Sequence, residues 1–228
     1  MKLPRVSLVR RYDTHRLIPA KYTEGGESVL ARTVESDEDL EKIFDLDNAT
    51  NDRLIAENDL LPGIGIRELV FNVPNFRIVN AAFCHAHPLG SRFNSPDRGG
   101  WYAAFELETA EAEAAYDKWL ELLEVNWIEE EEISYDDYLA DFSAEFHDIR
   151  NDGEFRKCLN PESYVASQEL AQKLIEADSL GVIYPSVRKR KGTCIVCFRP
   201  ALVTNVRRDS SYVFRWSGQP KPHITVRA

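Results

Sequence analysis

The sequence predicts an α+β fold, a mixed strand core with flanking helices, preceded by an N-terminal extension that is partly helical. Three observations predict it. After Gly63 short β-rich runs are separated by Pro, Gly and Asn, two amphipathic helical stretches follow, and the C-terminal part returns to short strands divided by turn residues.

The elements follow in order. Ser36 and Asp39 fit a capping box, and Leu40, Ile43, Phe44 and Ile55 recur at helical spacing until Pro62, so a helical region spans Ser36 to about Leu61. Strands are expected over Leu69–Val73, Phe76–Phe83 and Trp101–Leu107. Thr109 caps a helix from Ala110 to about Val125, with Ala114, Trp119, Leu120 and Leu123 on its apolar face. The acidic run Glu129–Glu132, continued by Asp136 and Asp137, reads as a solvated loop or helix end. A second helix follows Asn160, with Pro161 at its first position and Tyr164, Leu170, Ala171, Leu174 and Ile175 inward. Strands at Val182–Tyr184, Thr193–Phe198, Tyr212–Trp216 and His223–Val226 complete the chain. No repeat and no Pro/Ser/Gly-rich linker divides it, so residues 1–62 are expected to be an extension of one domain over 63–228.

Length and composition exclude several classes. The 228 residues, 43% of them hydrophobic, suffice for a well-filled core. No window approaches a membrane-spanning apolar run, and the N-terminus lacks the apolar stretch of a secretory signal, so a cytoplasmic protein without a membrane partner is expected. A net charge of -10 disfavours general nucleic-acid binding, while small nucleotides remain open. Cys84, Cys158, Cys194 and Cys197 are too few and too irregular for a disulfide framework. Composition leaves self-association open.

The stretch Gly90–Glu113 sets an arginine, a tyrosine and a glutamate across a turn, a strand and a helix start. Arg92 in GSRFN presents a planar fork that suits a pyrophosphate, or is a surface arginine in a turn. Tyr102 in WYAAFEL stacks on a ring or bonds a ribose, or packs in the core. Glu113 shares a helical face with Ala110, Tyr116 and Asp117; it either stabilises an oxocarbenium-like centre or simply favours the helix N-terminus. Ser186 follows Pro185 at a strand end, and Ser167 lies inside the second helix; neither has a histidine base nearby in sequence, which makes them hydrogen-bonding groups rather than nucleophiles. Arg188, Lys189, Arg190 and Lys191 form the one dense basic run, to attract phosphates or to end a solvated hairpin. Cys194-x-x-Cys197 and His85-x-His87 raise zinc, but residues three apart on a strand face opposite sides, and no metal is expected. No Gly-rich dinucleotide or triphosphate loop occurs.

In order and spacing, GSRFN, WYAAFELETAEAE, SYVASQELAQKL and GVIYPSVRKRKGTCIVCFRP resemble the RES domain family over roughly Phe76 to Pro200. HRLIPAKY, from His15 to Tyr22, is similar to the opening of a longer subgroup. The resemblance implies a fold similar to ADP-ribosyltransferases and an enzyme that cleaves NAD at the nicotinamide–ribose bond by hydrolysis or phosphorolysis. It also implies the toxin role of a toxin–antitoxin pair, with a helix-turn-helix antitoxin as partner. Position by position, it assigns catalytic roles to Arg92, Glu113 and Ser186 and NAD binding to Tyr102; Arg188, from the basic run, is a further candidate for NAD binding. Arg77 or Arg16 fills the first arginine position, and Ser167 is a second candidate for the serine. Two alternatives remain: an ADP-ribosyltransferase acting on a macromolecule, and a nucleotide-binding regulatory protein without catalysis.

Overall fold

The computed structural model describes residues 2–23, 63–127 and 129–227. The helical region expected over Ser36–Leu61 lies outside the described residues. Seven strands form one sheet in the order β1-β2-β5-β4-β3-β6-β7. The strands are β1 Val6–Pro19, β2 Trp101–Ala104, β3 Glu130–Asp148, β4 Gly181–Pro185, β5 Thr193–Cys197, β6 Thr204–Ser217 and β7 His223–Val226. The helices are α1 Phe76–Cys84, α2 Leu107–Glu124 and α3 Val165–Glu176. Because β1 pairs with β3 as well as β2, the strands β3, β1, β2, β5 and β4 close a ring, from which β6 and β7 continue the other edge of β3.

β1 ties residues 6–19 of the expected extension into the sheet of the main domain. It runs antiparallel to β3 from Val6 opposite His147 to Pro19 opposite Tyr135, with a register break between Arg11 and Thr14. Asp13 takes φ 54° inside that break, the left-handed backbone a bulge demands of a short polar residue. The acidic run is not a solvated loop but the start of β3. Glu130, Glu131 and Glu132 face Ser217, Trp216 and Arg215 of β6, and Arg215 Nε bonds Glu132 Oε2 at 2.5 Å. Asp136 and Asp137 are wholly buried. Arg208 and Ser211 donate to Asp136, and His15 Nδ1 lies 2.7 Å from Asp137. Low β-propensity misleads here because partners on adjacent strands compensate Glu132, Asp136 and Asp137.

Phe76–Cys84 is a helix, not the strand expected from its Val, Ile and Phe content. Val79 and Phe83, four apart, are buried together, the spacing of one helical face. Asn80 is buried beside them and holds Val70 by both backbone groups: Nδ2 donates to Val70 O and Oδ1 accepts from Val70 N. The segment Leu69–Val73, also expected as a strand, is thereby bound to a side chain instead of joining the sheet. The expected strand Trp101–Leu107 stops at Ala104, because α2 already begins at Leu107. Thr109 does not cap it; its hydroxyl donates to Glu106 Oε2, which also accepts from Thr193 N and so ties the helix start to β5. The second expected helix begins at Val165, not Pro161.

β4 and β5 are covered on both faces, which explains their unbroken apolar sequences. Ile183, Ile195 and Cys197 pack with Trp101, Phe142, Phe146 and α1 on one side. Val182, Tyr184, Cys194 and Val196 pack with Leu170, Leu174 and Ala110 on the other. A third cluster joins Ala115 and Leu122 of α2 to Tyr135, Tyr212, Phe214 and Trp216.

Candidate functional site

The start of α2, the GSRFN turn and the loop between β4 and β5 converge on one face of the sheet. In the turn, Ser91 and Asn94 bridge backbone to backbone, leaving Arg92 and Phe93 at its tip. Gly90 enters it at φ 71°, and a Cβ there would stand 2.3 Å from Asn94 O, so only glycine fits. The Tyr102 hydroxyl holds the turn from below: it donates to Asn94 Oδ1 at 2.7 Å and accepts from Phe93 N at 2.9 Å. Burial pushes its phenol well above the ordinary range, so it remains a neutral donor. The hydroxyl the sequence offered to a ribose is therefore spent on positioning Arg92.

Arg92 is buried. Its Nη1 donates to Asn160 O at 2.8 Å and Cys158 O at 3.1 Å, and its guanidinium lies 4.7 Å from the Tyr164 ring centroid. Two carbonyls and an aromatic face hold the cation in a fixed orientation. Phe93 packs on Tyr184 with ring centroids 4.7 Å apart, which anchors the other side of the turn.

Glu113 and Ser186 meet directly. Ser186 Oγ donates to Glu113 Oε1 at 2.5 Å and accepts from Lys189 N at 2.9 Å and Arg188 N at 3.1 Å. One hydroxyl thus gathers the basic loop and orients the carboxylate. The loop can approach because Gly192 passes the helix closely; a Cβ there would lie 2.5 Å from Thr109 Oγ1. Cys194 Sγ stands 3.6 Å from the same Glu113 oxygen. Burial, then the Glu113 charge, push this thiol far up, so it is a protonated donor to the carboxylate and not a thiolate nucleophile. Cys197 packs in the cluster on the opposite face of β5, which separates the two sulfurs.

Arg188 closes the rim. Its guanidinium stacks 3.3 Å from the Tyr116 ring centroid, and Nη2 donates to Pro161 O at 2.7 Å. Beside it, one helical turn beyond Glu113, lies Asp117. Asp117 is exposed to solvent, yet protein crowds it densely enough that desolvation, and then the Glu113 charge, raise its carboxyl to about 7. Asp117, Tyr116 and Tyr164 carry no motif of their own; only the spacing of Asp117 from Glu113 signals the first of them.

The other sequence candidates lie elsewhere. Ser167 is fully buried on α3, where its hydroxyl donates to Tyr164 O at 2.9 Å. Arg77, on α1, lies over the Phe76 ring at 5.8 Å. Arg16 donates to Tyr102 O at 3.0 Å and stacks 4.9 Å from the Trp101 ring centroid, on the face of β2 opposite the Tyr102 side chain. Burial lowers its guanidinium to about 10, still charged at neutral pH. Arg16 also lines a cavity of about 500 Å3 beside α1, with Leu17, Ile18, Tyr22, Ala82 and His85. Neither Glu113 nor Ser186 reaches that cavity. The converging charges and hydroxyls make the other face the candidate site. Among the described residues, no group of three His, Cys, Asp or Glu side chains is placed to hold a metal ion.

The RES domain model matches residues 69–217, more than half of the chain. This chain belongs to the RES domain family. Arg92, Tyr102, Glu113 and Ser186 fall within the matched segment of the RES domain, whereas Arg16 lies before it. A solved structure described as the M. tuberculosis MbcT-MbcA toxin-antitoxin complex aligns at 15% identity, over 58% of this chain and 73% of that chain, with a TM-score of 0.42. No curated protein matches the chain in sequence.

Proposed function

We propose that this RES domain protein cleaves NAD at the nicotinamide–ribose bond, on a fold related to ADP-ribosyltransferases. The observation that carries the reading is the Ser186–Glu113 hydrogen bond of 2.5 Å, with Arg92 and Arg188 held nearby by their own contacts. Loss of nicotinamide develops positive charge on the ribose ring, and a carboxylate fixed in a partly buried site stabilises that charge more than bulk water does. Ser186 holds the carboxylate in place, and Cys194 supplies a second weak donor. The guanidinium groups of Arg92 and Arg188 suit the pyrophosphate, and the Tyr116 and Tyr164 rings beneath them offer flat apolar surface for a base or ribose.

Consuming NAD would harm the cell that makes the protein, so we take it to be the toxin of a toxin–antitoxin pair with a small helix-turn-helix protein as antitoxin. Water and phosphate are both chemically competent acceptors. The test is NAD loss by the purified protein, with and without phosphate, with products resolved by chromatography. Nicotinamide release in the parent, and its loss in a folded Glu113→Gln variant, is the expected result. An intact NAD pool under every condition would reject the reading.

A further inference from the structure

Two carboxylates, not one, stand on the face of α2 near Ser186 and Arg188. Glu113 and Asp117 are four residues apart in the helix, which places their side chains side by side with Cβ atoms about 5–6 Å apart. Their situations differ. Glu113 is engaged by the Ser186 hydroxyl and the Cys194 thiol. Asp117 accepts no hydrogen bond and joins no ion pair among the described residues, and it is open to solvent where Arg188 stacks on Tyr116. A fixed carboxylate suits charge stabilisation, and an unengaged, solvent-facing one suits proton transfer from a water molecule. We propose, on the basis of the NAD-cleaving reading, that Asp117 is a further catalytic carboxylate that accepts the proton of the attacking water and thereby makes hydrolysis the reaction of this site.

The step balances. The bond from the ribose anomeric carbon to the nicotinamide nitrogen breaks, its electron pair leaves with neutral nicotinamide, and the water oxygen bonds to that carbon. One water proton passes to Asp117 and then to solvent, leaving ADP-ribose. No metal or oxidant takes part. The same carboxylate, when ionised, repels a phosphate dianion, so it selects water over phosphate.

The groups around Asp117 fit this role. Desolvation by the surrounding protein, then the charges of Glu113 and Glu121 of α2, oppose its ionisation, while Arg188 from the β4–β5 loop and Arg92 from the GSRFN turn favour it. Tyr164, ahead of α3, and Tyr135 of β3 complete the surroundings. With its carboxyl at about 7, Asp117 changes state in the range where a general base is most effective.

The experiment compares Asp117→Asn with the parent and with Glu113→Gln, using water, phosphate and azide as acceptors. Thermal unfolding and NAD binding serve as controls for folding and site integrity. Azide carries no proton to remove and so bypasses a base. For Asp117→Asn the expected result is a fall in kcat for hydrolysis of about 100-fold or more. KM should change little, and the rise of rate with pH through about 7 should disappear. Azide and phosphate should react with the variant at least as fast as with the parent. Glu113→Gln should lose all three reactions. Equal loss of hydrolysis and azidolysis in Asp117→Asn, or an unchanged hydrolysis rate and pH profile, would overturn the role of Asp117 while leaving NAD cleavage intact. Absence of turnover by the parent with every acceptor would overturn both.

Discussion

Ser186 Oγ has three partners at once, and each sets a different consequence of its removal. Without the hydroxyl, Glu113 loses its strongest orienting contact, and the amides of Arg188 and Lys189 lose their acceptor. On the proposed chemistry, Ser186→Ala should lower kcat for nicotinamide release by about 100-fold, the scale of one lost orienting donor in a preorganised site. Steady-state kinetics beside circular dichroism would check it; a rate within twofold of the parent would remove Ser186 from the mechanism. Tyr102 acts differently, because both capacities of its hydroxyl go to the GSRFN turn. Tyr102→Phe leaves Phe93 N and Asn94 Oδ1 without that partner and should cost about 1–3 kcal/mol in urea unfolding. If the hydroxyl acts only through the turn, Asn94→Ala and Tyr102→Phe combined should cost less than the sum of the two.

At the scale of elements, the site is assembled by two close approaches. Gly90 lets the turn reverse and Gly192 lets the basic loop reach α2. Gly90→Ala imposes a left-handed backbone on an L side chain and a clash with Asn94 O; a loss of about 1–3 kcal/mol is expected from the backbone alone. β3 contributes a pH-dependent term through Asp148. Burial alone would raise this carboxyl, but hydrogen bonds from the Arg150 side chain and backbone, with Arg150 and Arg5 charges nearby, hold it below its usual value. A folded value below the unfolded one means that the pair stabilises fully above the ordinary aspartate range and fades as the pH falls through the lower folded value. Melting temperatures of the parent and Asp148→Asn should therefore converge in acid; a constant gap down to the acid limit would show that the charge of Asp148 does not matter.

At the scale of the whole molecule, β1 is a structural strand rather than an appendage. It carries twelve residue pairings to β3 and one to β2, and it closes the ring of strands. Deleting residues 1–19 should therefore leave a chain that does not refold, because the long edge of β3 would lose its hydrogen-bonding partner. A cooperative urea transition in the truncated protein would instead establish that residues 20–228 fold without β1.

The chain itself made legible the residues whose neighbours in sequence are also their neighbours in function. The GSRFN turn, the helix bearing Glu113 and the serine after Pro185 were readable from type and spacing. So were β4, β5 and β7, as short apolar or alternating runs between turn residues. Two kinds of information were not local. An acidic strand such as β3 is stable only because Arg208, Ser211, Arg215 and His15 arrive from other strands, and no window of sequence contains them. Likewise, Phe76–Cys84 has strand-like composition, but the hold of Asn80 on Val70 and the burial of Val79 with Phe83 select the helix. Sequence alone determined which side chains were available for chemistry. Tertiary structure decided which of them meet, setting Asp117 beside Glu113 and Arg188 and leaving Ser167 buried in its helix, because charge compensation and burial depend on contacts between distant segments.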